Sequence, residues 1–211
     1  MRTIAVLNQK GGSGKTTIAT QLARGLQLQN HSVLLVDSSQ QGGARDWRAV
    51  DEDNPVPVIG LERSPLYKDL KNVNDIEYVV IDGSPRATNL TLSAIEVADF
   101  VLIPVQPSPY DIWATSDLVD LVKQHIEMTD GKLKVAFVVS RAIQNTNIGK
   151  DVSNVLEGYG FPILNAKIIQ RVSYINSAIL GKTVFETEIT NSSAVQEITA
   201  LVNEVKCFLN E

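Results

Sequence analysis

The chain has 211 residues, 44% hydrophobic and 20% charged, with a net charge of −5. That composition excludes a disordered polymer and leaves enough apolar material for a core. One cysteine, Cys207, excludes an internal disulfide or a multi-cysteine metal centre within the chain and fits a reducing cytoplasm, while no apolar run is long enough for a membrane span or a secretory signal.

Strands are predicted over 3–8, 32–37, 56–60, 78–82, 100–106, 134–140 and 163–169. Several are apolar throughout, as expected when helices cover both faces of a parallel sheet. Helices are predicted over 15–28, 110–129 and 194–209, each with an apolar stripe: Ile18, Leu22 and Leu26 in the first, Leu118, Leu121 and Val122 in the second, Ile198, Leu201, Val202 and Val205 in the third. The alternation predicts a doubly wound, mostly parallel α/β fold, and the absence of a Pro/Gly/Ser-rich linker predicts one domain over 1–211.

The first strand runs directly into QKGGSGKTT (9–17) and then into a helix. Glycines let successive N–H groups turn inward onto phosphate oxygens, and the helix N-terminus adds partial positive charge. Gly11, Gly12, Ser13, Gly14, Lys15, Thr16 and Thr17 are therefore candidate nucleotide contacts. Lys15 is placed to reach the β- and γ-phosphates and Thr16 to ligate Mg²⁺. The usual pattern has a glycine where this chain has Gln9. The strand ending in YVVIDGSP (78–85) offers Asp82 as a second metal-side carboxylate.

The run from Lys10 to Thr17 resembles the deviant phosphate loop of the ParA/MinD family of ATPases. The resemblance implies that Lys10 reaches across an ATP-bound homodimer to the partner's phosphates while Lys15 serves its own. VDSSQQGGARDW (36–47) resembles the family's V-D-x-D-P-Q-G segment, with Asp37, Gln41 and Gly42 matching and Trp47 shared with short partition members. Asp37 is thereby a candidate catalytic and metal-associated residue. Ser39 stands where the family has its second aspartate and Gln40 where it has proline. A serine is a poor base, so slow hydrolysis is expected, with Ser39 or Gln40 left to position water. Gly83 and Ser84 match residues that sense the γ-phosphate. IPVQPSPYDIW (103–113) matches the family's P-S-P segment followed by an aspartate, at the dimer face or switch. Ser140, Arg141, Ile169 and Gln170 correspond to the border of the adenine pocket.

Between residues 131 and 182 lie seven basic and two acidic residues, a local charge of +5 that leaves −10 for the rest. IIQRVSYINSAILGKTVFE (168–186) resembles the C-terminal part of short partition ATPases, whose ATP dimers bind DNA without sequence preference. Lys132, Lys134, Lys167, Arg171 and Lys182 are the candidate DNA contacts. The first strand begins at residue 3, so a short form without an operator-binding domain is expected. The amphipathic tail is acidic, which disfavours an anionic membrane. The resemblance thus implies a cytoplasmic, nucleoid-associated ATPase, using ATP and Mg²⁺, that positions a plasmid, chromosomal locus or carboxysome and is stimulated by a small adaptor protein. The alternative is an ATP-locked DNA-binding scaffold that barely hydrolyses.

Overall fold

The computed structural model describes residues 1–85, 88–129, 131–143, 152 and 155–210. Among these, seven strands form one sheet: β1 (Arg2–Val6), β2 (Val33–Asp37), β3 (Val58–Gly60), β4 (Tyr78–Asp82), β5 (Phe100–Val105), β6 (Lys134–Ala142) and β7 (Ile163–Ile169). Their order is β3-β2-β4-β1-β5-β6-β7, with every pairing parallel. The α/β architecture is the expected one.

Register matters for the site. Val6 pairs with Asp82 and Asp82 with Asp37, so β1, β4 and β2 end level with one another. Three polar segments therefore emerge side by side from neighbouring strand ends, where parallel sheets bind ligands. The pleat sorts the core. Ile4 and Val6 face one layer with α1 (Lys15–Leu28) and the C-terminal helix; Ala5 and Leu7 face the other with the helices of the chain's middle.

The remaining described helices are α2 (Gly43–Val50), α3 (Tyr67–Leu70), α4 (Thr88–Val97), α5 (Pro109–Trp113), α6 (Ser116–Met128), α7 (Val172–Ile179), α8 (Val184–Thr187) and α9 (Ser193–Leu209). The helix expected over 110–129 is in fact two, α5 and α6. At the break the buried Thr115 hydroxyl donates back to Asp111 O at 2.8 Å, an alternative to the regular helix ladder. β6 runs two residues past its expected end, to Ala142, through a shift in its pairing with β7. α9 buries Ile198, Leu201, Val202, Val205 and Leu209, so its apolar stripe is covered by the sheet. No described helix is long and apolar enough to cross a membrane.

Candidate functional site

The loop after β1 is braced before it turns. Asn8 donates from Nδ2 to Pro104 O at 2.8 Å and accepts the Lys10 N–H at 2.8 Å; Gln106 Nε2 donates to Gly12 O at 2.9 Å. Gly12 and Gly14 have φ of 78° and 96°, left-handed values that a side chain disfavours. Gly14 is also closed by space, because a Cβ there would lie 2.5 Å from Ser140 Oγ. Gly14 caps α1, whose first ladder bond is Ile18 N–H to Gly14 O at 2.9 Å. The N–H groups of Lys15, Thr16 and Thr17 are left without helical acceptors at the positive end of the helix.

Lys15 is 7% exposed and its ammonium donates to Lys10 O at 3.0 Å, closing the loop on itself. Burial pushes its pKa below the ordinary value, against the pull of Asp82. Thr16 Oγ1 donates to Asp82 Oδ2 at 2.7 Å. Burial pushes the Asp82 carboxyl up to about 7; the Thr16 hydroxyl bond opposes the rise, Asp37 adds to it and Lys15 opposes it. Asp82 Oδ1 and Ser13 Oγ are buried without a hydrogen-bond partner. An acceptor beside a cationic loop and a donor inside it, both unpaired, fit a magnesium–triphosphate. Among the described residues no cluster of three or more His, Cys, Asp or Glu could hold a metal. Thr16 and Asp82 are the side chains here that could face a magnesium ion.

Lys10 stands apart from Lys15. Its Nζ lies 2.8 Å from Asp111 Oδ2, with side chains 36% and 8% exposed. Asp111 sits on α5 beside the exposed Tyr110 and Trp113, whose rings meet edge to face at 5.5 Å. The 101-residue separation hides this pair from any local pattern, although the aspartate after P-S-P was visible.

Asp37 is fully buried. Its Oδ1 accepts the Ser39 N–H at 2.9 Å, and its Oδ2 accepts those of Ala44 and Arg45 at 3.0 and 3.1 Å. It therefore holds the loop leading into α2 through these three backbone donors. Ser39 is 6% exposed, and its hydroxyl accepts the Gln41 N–H at 3.2 Å. Arg45 was missed by sequence reasoning: it pairs with Glu62 and donates from Nη2 to Ser39 O at 3.1 Å.

The phosphate cavity, about 210 Å³, is lined by Gly11, Gly12, Gly14, Lys15, Thr16 and Thr17 together with Ser39, Gln41, Gly83 and Arg141. Arg141 also lines a neighbouring cleft of about 580 Å³ with Ser140, Ile169 and Gln170, so all four residues expected at the base pocket meet there. Ile175 and Ile179 of α7 complete that cleft and carried no recognisable signal beyond apolar spacing.

The five basic residues proposed for DNA do not form one patch. Lys134 opens β6, and its ammonium donates to Phe208 O at 2.6 Å; Lys132 precedes it. Arg171 follows β7, beyond the opposite strand ends, and β6 alone spans roughly 26 Å; Lys182 lies a helix further on, beside the C-terminal end of α2. Arg171 is held by Glu197 at 2.8 and 2.5 Å, Lys182 lies 3.9 Å from Asp51, and Lys167 is exposed on β7.

Comparison with known proteins agrees with this geometry. "Maintenance of carboxysome distribution protein A" of Halothiobacillus neapolitanus is 34% identical over 96% of this chain and 95% of its own. The chromosome partitioning protein ParA of Myxococcus xanthus is 29% identical over 75% of this chain and 71% of its own. In fold, the chain resembles cobyrinic acid a,c-diamide synthase of Mycobacterium smegmatis crystallised with ADP and magnesium, with TM-score 0.78, 20% identity, and coverage of 100% of this chain and 96% of that one. The profile of the CobQ/CobB/MinD/ParA nucleotide binding domain matches residues 4–184, and the chain belongs to that family.

Proposed function

We propose that the chain is a ParA-type ATPase, one unit over residues 1–211, that dimerises on ATP and positions a cargo on nucleoid DNA, in the manner of the carboxysome-distribution relative. The observation that carries this reading is the separation of the two loop lysines. Lys15 is enclosed and directed along its own phosphate loop; Lys10 is half-exposed and leaves the loop toward Asp111. A cation at the rim serves a phosphate arriving from outside, which is what a nucleotide shared by two copies presents.

In this reading the N–H groups of Gly11 to Thr17 hold the phosphates, and the cleft of Ser140, Arg141, Ile169 and Gln170 holds the base. Thr16 and Asp82 would hold Mg²⁺, which would neutralise phosphate charge when bound. Lys167 and Arg171 form the DNA-facing group near the C-terminus of β7, with Lys182 beside Asp51 and Lys132 and Lys134 at the start of β6 contributing separately. The buried apolar stripe of α9 supports DNA rather than lipid as the surface bound. A small adaptor protein would act where Lys10 and α5 meet solvent.

The test is Lys10→Ala with ATP and Mg²⁺ in light scattering. The wild type is expected to double in mass and the variant to remain monomeric while still binding nucleotide. ATP-dependent dimers of the variant would remove the trans role. A second reading, an ATP-locked scaffold, draws on the buried Ser39 in place of a carboxylate. Phosphate release compared between the wild type and Ser39→Asp separates the two: a marked gain in the variant marks the locked state.

A further inference from the structure

We propose that Gln41, rather than Ser39, holds the attacking water for ATP hydrolysis; this rests on the ATPase reading above. Ser39 is partly engaged in holding its own loop. Its hydroxyl accepts the Gln41 N–H at 3.2 Å and its own N–H donates to Asp37 Oδ1 at 2.9 Å. The serine thus closes a short side-chain turn, one that hydroxyl residues form readily. Arg45 fixes the same turn through Ser39 O.

The turn leaves the next glutamine side chain outside. Gln41 is exposed and, like the buried Ser39, lines both the phosphate cavity and an adjoining polar cavity of about 310 Å³, completed by Gly11, Gln40, Ser84 and Pro85. Gln40 lines the second cavity and not the first. The loop also runs close to the metal-side threonine: a Cβ on Gly43 would lie 3.5 Å from Thr16 Cγ2 and 3.6 Å from its hydroxyl. Gln41 therefore stands at the end of the phosphate loop where the terminal phosphate would project.

Three other polar side chains of that cavity have work of their own. Lys15 supplies charge, Thr16 is bonded to Asp82, and Arg141 stands at the junction with the base cleft. A primary amide offers what the water needs. Its oxygen accepts one water O–H, and its NH₂ donates to a γ-phosphate oxygen. The water oxygen then forms the new bond to γ-phosphorus as the bond to the β–γ bridging oxygen breaks, and that electron pair leaves with ADP. An amide is no base near neutral pH, so the water proton passes to an oxygen of the departing phosphate.

The experiment uses the full chain with Mg²⁺, DNA and saturating ATP, reading phosphate release, with binding read separately by a fluorescent ATP analogue. Gln41→Ala is expected to lower kcat on the order of 100-fold, the size of removing one positioned polar group, with analogue affinity falling far less. Ser39→Ala is expected to lose much less. Full turnover in Gln41→Ala, or loss in Gln40→Ala or Ser39→Ala instead, overturns the assignment. Loss of analogue binding in Gln41→Ala replaces it with a structural role. A wild type that binds the analogue yet releases no phosphate in any condition removes the ATPase reading itself, and the assignment with it.

Discussion

Two regions at the strand ends handle polar groups in opposite ways. Around the phosphate loop, Ser13 Oγ, Arg45 Nε, Asp82 Oδ1 and Asp111 Oδ1 are buried without hydrogen-bond partners. In the seam where α2 meets the turn before α8, the corresponding groups are paired. Trp47 Nε1 donates to Lys182 O at 3.0 Å, Asn54 Nδ2 to Gly181 O at 2.6 Å, and the Val184 N–H to Gln21 Oε1 at 3.1 Å. Thr183 and Glu186 form a reciprocal cap on α8, and Glu186 also takes Arg24 Nε at 2.6 Å. An unpaired buried polar atom costs about 1–3 kcal/mol. One region holds that cost until a ligand arrives, and the other is finished by the chain itself.

The sharpest way to break this comparison is in the seam. Trp47→Ala empties a site that is 7% exposed, and about 3 kcal/mol of stability should go with it, read by urea denaturation. A loss below about 1 kcal/mol would mean the seam is not structural. The phosphate region should respond with the opposite sign. Asp82 is pushed from 3.8 to about 7, so its favourable share is complete below the lower value and is lost as pH rises through the upper one. Without nucleotide, Asp82→Asn should therefore stabilise the protein at pH 8 by about 2 kcal/mol, with the gap shrinking as pH falls from 7 toward 4. Equal melting temperatures at pH 8 would end that account.

The smallest effect tests the seam's charge. Burial pushes the Glu186 carboxyl up, but the Thr183 and Arg24 contacts outweigh it and hold the group below its ordinary value. Its contribution is present above the ordinary carboxylate pKa and lost as pH falls through the lowered one. Glu186→Gln should cost about 1 kcal/mol at pH 7 and nothing near pH 3, measured by paired denaturation curves.

The contrast also explains what the sequence could and could not disclose. The phosphate loop is contiguous, so strand, glycines, lysines and helix appear together and in order. The cleft of Ser140, Arg141, Ile169 and Gln170 was partly legible, because these residues lie at or just past the ends of two readable strands. Lys10 to Asp111 and Trp47 to Lys182 join residues more than a hundred positions apart, and only the sheet order brings them together. The backbone partners of Asp37 were not legible, because motif spacing does not reveal which N–H groups a carboxylate will accept. The break at Thr115 was hidden for a related reason: the apolar period of α6 continues through it, and a hydroxyl turning back to the main chain leaves no periodic trace. Charge counted along the sequence could not show that Lys134 opens β6 while Arg171 lies past the end of β7.

The chain's two tryptophans fall on either side of this divide. Trp47 is 7% exposed inside the seam, and Trp113 is 60% exposed on α5, two residues from the carboxylate that holds Lys10. A neutral collisional quencher in solution reaches the second indole and not the first. The molecule thus carries its own pair of optical reporters, one tracking the integrity of the fold and the other the surface where a second copy would arrive, with no dye attached.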